Sequence, residues 1–298
     1  MIAWSRSGAG AFALVIAMVS GCDTSKPAGA GASGSPSGTA KGTIRVSGSS
    51  ALQPLVNAAK EKFEVSNAGV SVEVSAGGSK KGLADVASGA VEIGDSDIFA
   101  PSDLAAKLVD HKVAVVGFAA MANKGAYNAK VKALSIDELS KVYTGAITDW
   151  KDLGGEPQRI VVINRAPGSG TRTVFGNAVL GGDKFIESQT EDNSGALVAK
   201  LKQTAGAISY LATSFQDPDL VTLALKIDGA EVPPTPENIT SGKYPVWAYE
   251  HMYTAGPPVG PTKAFIDYVL SDDFQKNALP KVKGFIPVVD MKTTKDKD

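Results

Sequence analysis

The chain has 298 residues, and its 30 Lys and Arg side chains are balanced by 31 Asp and Glu, for a net charge of −1. With no basic block, this balance argues against nucleic acid or an acidic membrane surface as the partner. A single cysteine excludes an internal disulfide, and no segment beyond the N-terminus approaches the ~20 apolar residues of a membrane-spanning helix.

The N-terminus comes first. Arg6 precedes an apolar run from Ala9 to Val19, which ends in Ser20, Gly21 and Cys22. The run is too short to cross a bilayer, and its small-residue exit marks 1–21 as a secretory signal peptide. The Val-Ser-Gly-Cys ending resembles a bacterial lipobox, so Cys22 is expected to carry lipid and to anchor the chain to a membrane of the cell envelope. An unpaired thiol in an exported chain otherwise lacks an explanation. Residues 22–41 are rich in Gly, Ala, Ser and Pro and can bury no apolar face, which predicts a flexible tether. About 257 residues remain, a length that suits two lobes better than one core.

Strands and helices then alternate. Thr43 to Ser47 reads as a strand, and Ala51 to Phe63 has helical spacing with Leu52, Leu55, Val56, Ala59 and Phe63 on one face. Val70 to Val74 alternates as a strand does, and Gly82 to Ala87 is helical. Lys112 to Ala120 is almost entirely apolar, which predicts a parallel strand buried on both faces. Ile160 to Asn164 is a further strand, followed by a helix from Thr171 to Val179. The pattern predicts an α/β fold with a parallel sheet.

Three of these strands run into Gly/Ser turns that open helices: Ser47-Gly-Ser-Ser-Ala51, Ser75-Ala-Gly-Gly-Ser79, and Asn164-Arg-Ala-Pro-Gly-Ser-Gly-Thr171. Such turns lie at the carboxyl ends of strands, where α/β sheets bind ligands. Helix N-termini offer unpaired N–H groups and partial positive charge, and hydroxyls add donors, so the set suits an anion. Arg165 adds a planar fork able to grip an oxyanion through two parallel hydrogen bonds. One acidic cluster, Gly94-Asp-Ser-Asp-Ile98, runs against this trend. A carboxylate repels an anion unless the anion brings a proton to donate, as phosphate does near neutral pH and sulfate does not.

Enzyme signatures are missing. Gly77 and Gly82 have P-loop spacing, but Leu83 stands where the motif needs Lys. There is no Gly-x-Ser-x-Gly elbow, and Gly168-Ser-Gly170 lacks the third glycine of a dinucleotide fingerprint. His111 and His251 are far apart, and no carboxylate spacing fits a metal or an acid/base pair.

In this order, SGSSALQPL, GGSKKGL, GDSDIFA and NRAPGSGTR resemble the periplasmic phosphate-binding proteins of ABC importers, the PstS family. The likeness extends to Ile147-Thr-Asp-Trp150, Glu191-Asp-Asn-Ser-Gly-Ala196 and Gly206-Ala-Ile-Ser-Tyr210, and runs from about Thr43 to Val288. It implies a two-lobed Venus-flytrap fold (type II) with a mixed, mostly parallel sheet in each lobe. Lobe 1 would span 42–119 plus 247–298 and lobe 2 would span 120–246. The crossovers would lie near Gly117–Ala120 and Tyr244–Ala248. Inorganic phosphate would be enclosed between the lobes without metal or cofactor, for delivery to membrane permease subunits with their ATPase. The resemblance assigns phosphate to Ser50 and the Ala51 N–H, to Ser79, to Asp97 as acceptor of the ligand's proton, to Arg165, and to Ser169, Gly170 and Thr171. It also allows Arg165 to pair with Asp97. Two departures stand out: Ala51 replaces a bulkier residue, and Lys80-Lys81 adds positive charge at the second turn.

Competing readings are a receptor for sulfate, molybdate or tungstate, a surface-anchored phosphate sensor without a transporter, and a secreted phosphatase on the same scaffold. Asp97 argues against the first, and the lack of an activated nucleophile or metal cluster argues against the last. A neighbouring permease and ATPase gene pair would separate the sensor from the importer receptor.

Overall fold

The computed structural model describes residues 41–296; the expected signal peptide (1–21), Cys22 and all but the last residue of the tether lie outside the described residues. The fold opens with β1 (Gly42–Gly48), α1 (Gln53–Ser66), β2 (Val70–Ala76), α2 (Ser79–Ala87) and β3 (Ile93–Ser96). A short α3 (Ser102–Ala105) leads into the long strand β4 (Leu108–Asn123). Next come β5 (Ala133–Leu134), α4 (Ile136–Tyr143), β6 (Val161–Arg165), α5 (Gly170–Leu180), β7 (Gln189–Glu191), α6 (Ser194–Gln203) and β8 (Ala207–Ala212). Short strands β9 (Leu220–Thr222), β10 (Ala224–Ile227) and β11 (Ala230–Val232) precede α7 (Pro236–Thr240). The chain closes with β12 (Trp247–Ala255), α8 (Gly260–Leu270) and β13 (Phe285–Ile286).

Local chemistry explains the first elements. Leu52, Leu55, Val56, Ala59 and Phe63 are all buried, and Phe63 meets Phe265 of α8 edge to face at 5.1 Å between ring centres. Each large apolar side chain so buried contributes about 1.5–3 kcal/mol. α1 starts at Gln53 rather than Ala51, because the Ser49 hydroxyl accepts the Ala51 N–H at 3.0 Å and holds Ser50 and Ala51 in a turn. α2 starts at Ser79, three residues before the periodicity of its apolar face becomes visible at Gly82.

Ten strands form one sheet with the path β2-β1-β3-β12-β4-β8-β6-β7 and with β13 and β9 also paired to β4, and β11-β10-β5 form a separate three-stranded sheet. β4 changes partners midway: Leu108 to Gly117 pairs with β12, and Phe118 to Ala122 pairs with β8. The sheet thus divides into two halves that share this strand. Beside the change-over, the Phe118 N–H donates to the Val246 carbonyl at 2.8 Å, and the Tyr244 hydroxyl donates to the Phe118 carbonyl at 2.8 Å. The chain returns to the first half next to where it left.

One expectation needs correction. β4 is buried throughout its apolar stretch, but it runs antiparallel to β12, β13, β8 and β9. An unbroken apolar run reports burial of both faces; it carries no information about the direction of the neighbours. Parallel pairing is found at β1–β2, β1–β3, β6–β7, β6–β8 and β5–β10, and of these strands β2, β6 and β7 lead into the helices α2, α5 and α6 of the site.

Gly48 ends β1 with φ of 137°, and a Cβ there would overlap the carbonyl of Asp95 on β3. Gly48→Ala is therefore expected to destabilise the protein by more than about 1 kcal/mol, read from the urea midpoint. An unchanged midpoint would show that the turn can relax around the methyl group.

Candidate anion-binding site

The three turns singled out in the sequence converge. β1 delivers Ser49, Ser50 and Ala51; β2 delivers Gly78 and Ser79 at the start of α2; β6 delivers Arg165 and, through a short loop, Ser169, Gly170 and Thr171 at the start of α5. Asp97 follows β3. All eight residues assigned to the site are buried, with Ser50, Asp97, Arg165 and Thr171 each 1% exposed.

Asp97 is the hub. Its Oδ1 accepts from the Ser49 hydroxyl and its Oδ2 from the Thr171 hydroxyl at 2.7 Å, so one carboxylate joins the two halves of the molecule. The Asp97 N–H donates to Ser79 Oγ at 2.9 Å. Gly170 packs so tightly here that a Cβ would collide with Ser79 Oγ and Asp97 Cβ, which is why the first residue of α5 has no side chain. The Lys80 N–H donates to the Gly168 carbonyl at 3.1 Å and ties the second turn to the third. Ser169 caps α5, its hydroxyl accepting the Arg172 N–H at 3.3 Å.

Arg165 is set differently from the expectation. Its guanidinium makes no ion pair with Asp97; it donates to Ser50 Oγ at 3.1 Å, Ser194 Oγ at 3.2 Å, and the carbonyls of Glu191 and Asp192 at 3.3 Å. Burial lowers the Arg165 pKa, and the negative charge of Asp97 opposes that shift. Its own backbone N–H donates to the Tyr210 hydroxyl at 3.2 Å. Tyr210 stacks on Phe175 at 4.8 Å and meets Tyr143 edge to face at 5.5 Å, so an aromatic cluster holds the end of β6 in place. Burial raises the Tyr210 phenol to about 12, which keeps it neutral.

The sequence reading missed a fourth turn. β7 runs through Asp192 and Asn193 into α6, whose N-cap Asn193 accepts the Ala196 N–H at 2.9 Å. Ser194 is fully buried at this helix start, its hydroxyl 3.0 Å from that of Ser50, and its N–H donates to Ser50 Oγ at 3.0 Å. Asn-Ser-Gly after a strand is itself a helix-start signal and could have found it. Ser49, which bonds Asp97, was also passed over in favour of Ser50. The added charge of Lys81 is taken up by an ion pair with Asp85.

The N-termini of α2, α5 and α6, Arg165 and a ring of hydroxyls therefore meet around one acceptor, an arrangement suited to a small anion. A cavity of ≈ 230 Å³ opens beside them, lined by Gly77, Gly78, Gly168, Ser169, Asp192 and Asn193. Both histidines are engaged elsewhere, His111 with Thr254 at 3.0 Å and His251 with Asp110 at 2.7 Å. Among the described residues, no group of three or more His, Cys, Asp and Glu side chains is arranged to hold a metal ion.

This architecture and site define a class. The model of a PBP superfamily domain matches residues 33–273, and the chain has the two-lobed α/β fold of the periplasmic binding proteins. A Clostridium perfringens protein assigned to phosphate ABC transport, crystallised with bound phosphate, superposes with a TM-score of 0.75 at 30% identity, covering 83% of this chain and 100% of that one. A phosphate transport receptor from Vibrio cholerae shares the fold at a TM-score of 0.64, with 21% identity over 83% of this chain and 100% of that one. The phosphate-binding protein PstS of Bacillus subtilis is 48% identical over 260 residues, 86% of this chain and 84% of its own length. The chain belongs to the PstS family of phosphate-binding proteins.

Tyr210→Phe would keep the aromatic packing and remove the acceptor of the buried Arg165 N–H. It is expected to cost about 1–3 kcal/mol in chemical denaturation. Wild-type stability in this variant would mean that the Arg165 N–H finds another partner.

Proposed function

We propose that this protein is the receptor of an ABC-type phosphate importer: it encloses inorganic phosphate between its lobes and delivers it to permease subunits driven by their ATPase. It acts by binding and performs no catalysis. Asp97 carries the reading, as a buried carboxylate among donors from both halves. Near neutral pH phosphate still has a proton to give such an acceptor, whereas sulfate presents only negative charge, and the repulsion is poorly screened in a dry site. The 48% identity to a phosphate-binding protein supports the same ligand.

The lobes of this reading are 42–119 plus 247–298 and 120–246, with phosphate held by Ser50, the Ala51 N–H, Ser79, Asp97, Arg165, Ser169, Gly170 and Thr171. The partner change of β4 after Gly117 and the adjoining return at Val246 support this division. Cleavage after Gly21 and lipid on Cys22 would tether the receptor to a membrane of the cell envelope, with the folded domain periplasmic or extracytoplasmic. No helix among the described residues is long and apolar enough to cross a membrane.

Competitive calorimetry with phosphate and sulfate near neutral pH tests the ligand. Wild type should prefer phosphate strongly. Asp97→Asn should gain affinity for sulfate and lose little for phosphate, because the amide oxygen still accepts. Arg165→Ala should cost about 2–5 kcal/mol in phosphate binding, the usual loss when one partner of a buried charged contact is removed. Equal wild-type affinity for the two anions would refute the proton-reading role. The anchor is tested by fractionation: Cys22→Ser should move the protein from membrane to soluble fractions with phosphate affinity unchanged, and retention in the membrane would exclude lipid on Cys22 as the anchor.

A further inference from the structure

Glu250 sits in β12 and is fully buried. The β3–β12 register pairs Met252 with Asp95 and His251 with Ser96, so Glu250 on β12 and Asp97 after β3 each adjoin the last pair of this ladder. The negative charges of Asp97 and Asp95 both act on the Glu250 carboxyl. Neither Glu250 carboxyl oxygen has a hydrogen-bond partner among the described residues.

The surroundings offer nothing to compensate a charge. β4 sets Ala114 against Glu250. α2 buries Leu83 and Val86, while its Lys81 and Asp85 are paired with one another. The adjacent His251 is committed to Asp110, and Arg165 exerts its field on Asp97. Three buried carboxyls, Asp95, Asp97 and Glu250, thus share one corner of the site. Neighbouring carboxyls in a dry environment cannot all ionise, so the corner retains protons. Asp97 already accepts from two hydroxyls, which leaves Glu250 as the partner that satisfies the contact by donating.

We propose that Glu250 is a protonated positioning residue: as a carboxylic acid it donates to Asp97, holds that carboxylate as the acceptor facing the ligand, and spares the site a second negative charge. The proposal rests on the phosphate reading above. Burial drives the Glu250 carboxyl well above its ordinary value of 4.5, and the charges of Asp97 and Asp95 push the same way. The folded state therefore holds a proton that the unfolded state releases. This contribution favours folding least at high pH: it is harmless below the ordinary carboxylate value, and stability falls as pH rises from there toward the raised one. Loss of that proton to solvent also places a charge beside Asp97 and the bound anion, so phosphate affinity falls with it.

The test is phosphate titration of wild type, Glu250→Gln and Glu250→Ala over a pH series, with infrared difference spectra of wild type against Glu250→Gln. Glu250→Ala should bind phosphate about tenfold or more weaker across the series, and Glu250→Gln, which keeps a donor, should rescue most of that loss. The wild-type and Gln curves should part at the alkaline end by up to about tenfold for each unit above the Glu250 ionisation, the ionisation of phosphate being common to both. The carbonyl stretch of a protonated carboxyl should be present in wild type at neutral pH and diminished in the Gln variant, whether or not the Ala variant folds. An unchanged band, parallel curves throughout, or Ala binding as tight as wild type would each overturn the role of Glu250. Wild type failing to bind phosphate at any pH would instead sink the phosphate reading itself.

Discussion

Asp97 is a carboxylate almost wholly removed from water, and its two oxygens are satisfied by hydroxyls from opposite halves of the chain, Ser49 and Thr171. Hydrogen bonds to a charged group contribute about 1.5–3 kcal/mol each, and an unpaired buried charge costs more than that. Neither half can therefore meet the needs of this group alone. The approach of α5 to β3, the bare Gly170 between Ser79 and Asp97, and the Lys80 bond to Gly168 all follow from bringing those hydroxyls to one point.

Around this acceptor the polar groups are mismatched for stability and matched for binding. Arg165 is buried with hydroxyls and carbonyls rather than with a carboxylate, and burial of its guanidinium lowers its pKa. Asp95 is buried with one oxygen unpartnered and its pKa raised by burial and by Asp97. A core of the same volume made from apolar residues would be more stable, but it would offer an anion nothing. The aromatic cluster of Tyr143, Phe175, Phe185 and Tyr210 packs behind the end of β6, where the Tyr210 hydroxyl accepts the Arg165 N–H.

Much of this was legible in the sequence because its determinants are local. A strand followed by Gly, Ser and a helix start is recognisable within ten or so residues, and the physics that makes it an anion cradle, unpaired N–H groups and short hydroxyls, belongs to the same residues. Ser50, Ser79, Arg165, Ser169, Gly170 and Thr171 all announce themselves in this way. Ser194 carries a similar but weaker signal, since β7 has only three residues and alternates little. Glu250 carries none: in Trp247-Ala-Tyr-Glu-His-Met252 it is one polar residue in a strand, and its meaning comes from a register with β3, more than 150 positions earlier.

By itself, then, the sequence determined the family, the α/β class, the helix-opening turns and the residue types that meet an anion, because each depends on short-range pattern and on side-chain chemistry. Only the tertiary structure decided which way β4 runs relative to its neighbours, that Arg165 engages Ser50 and Ser194 instead of Asp97, and that Glu250 is buried where the charge of Asp97 acts on it. Strand direction and cross-strand register are set by which partner a strand finds after long loops close. An apolar run is equally content with either direction, so nothing within the run records the choice.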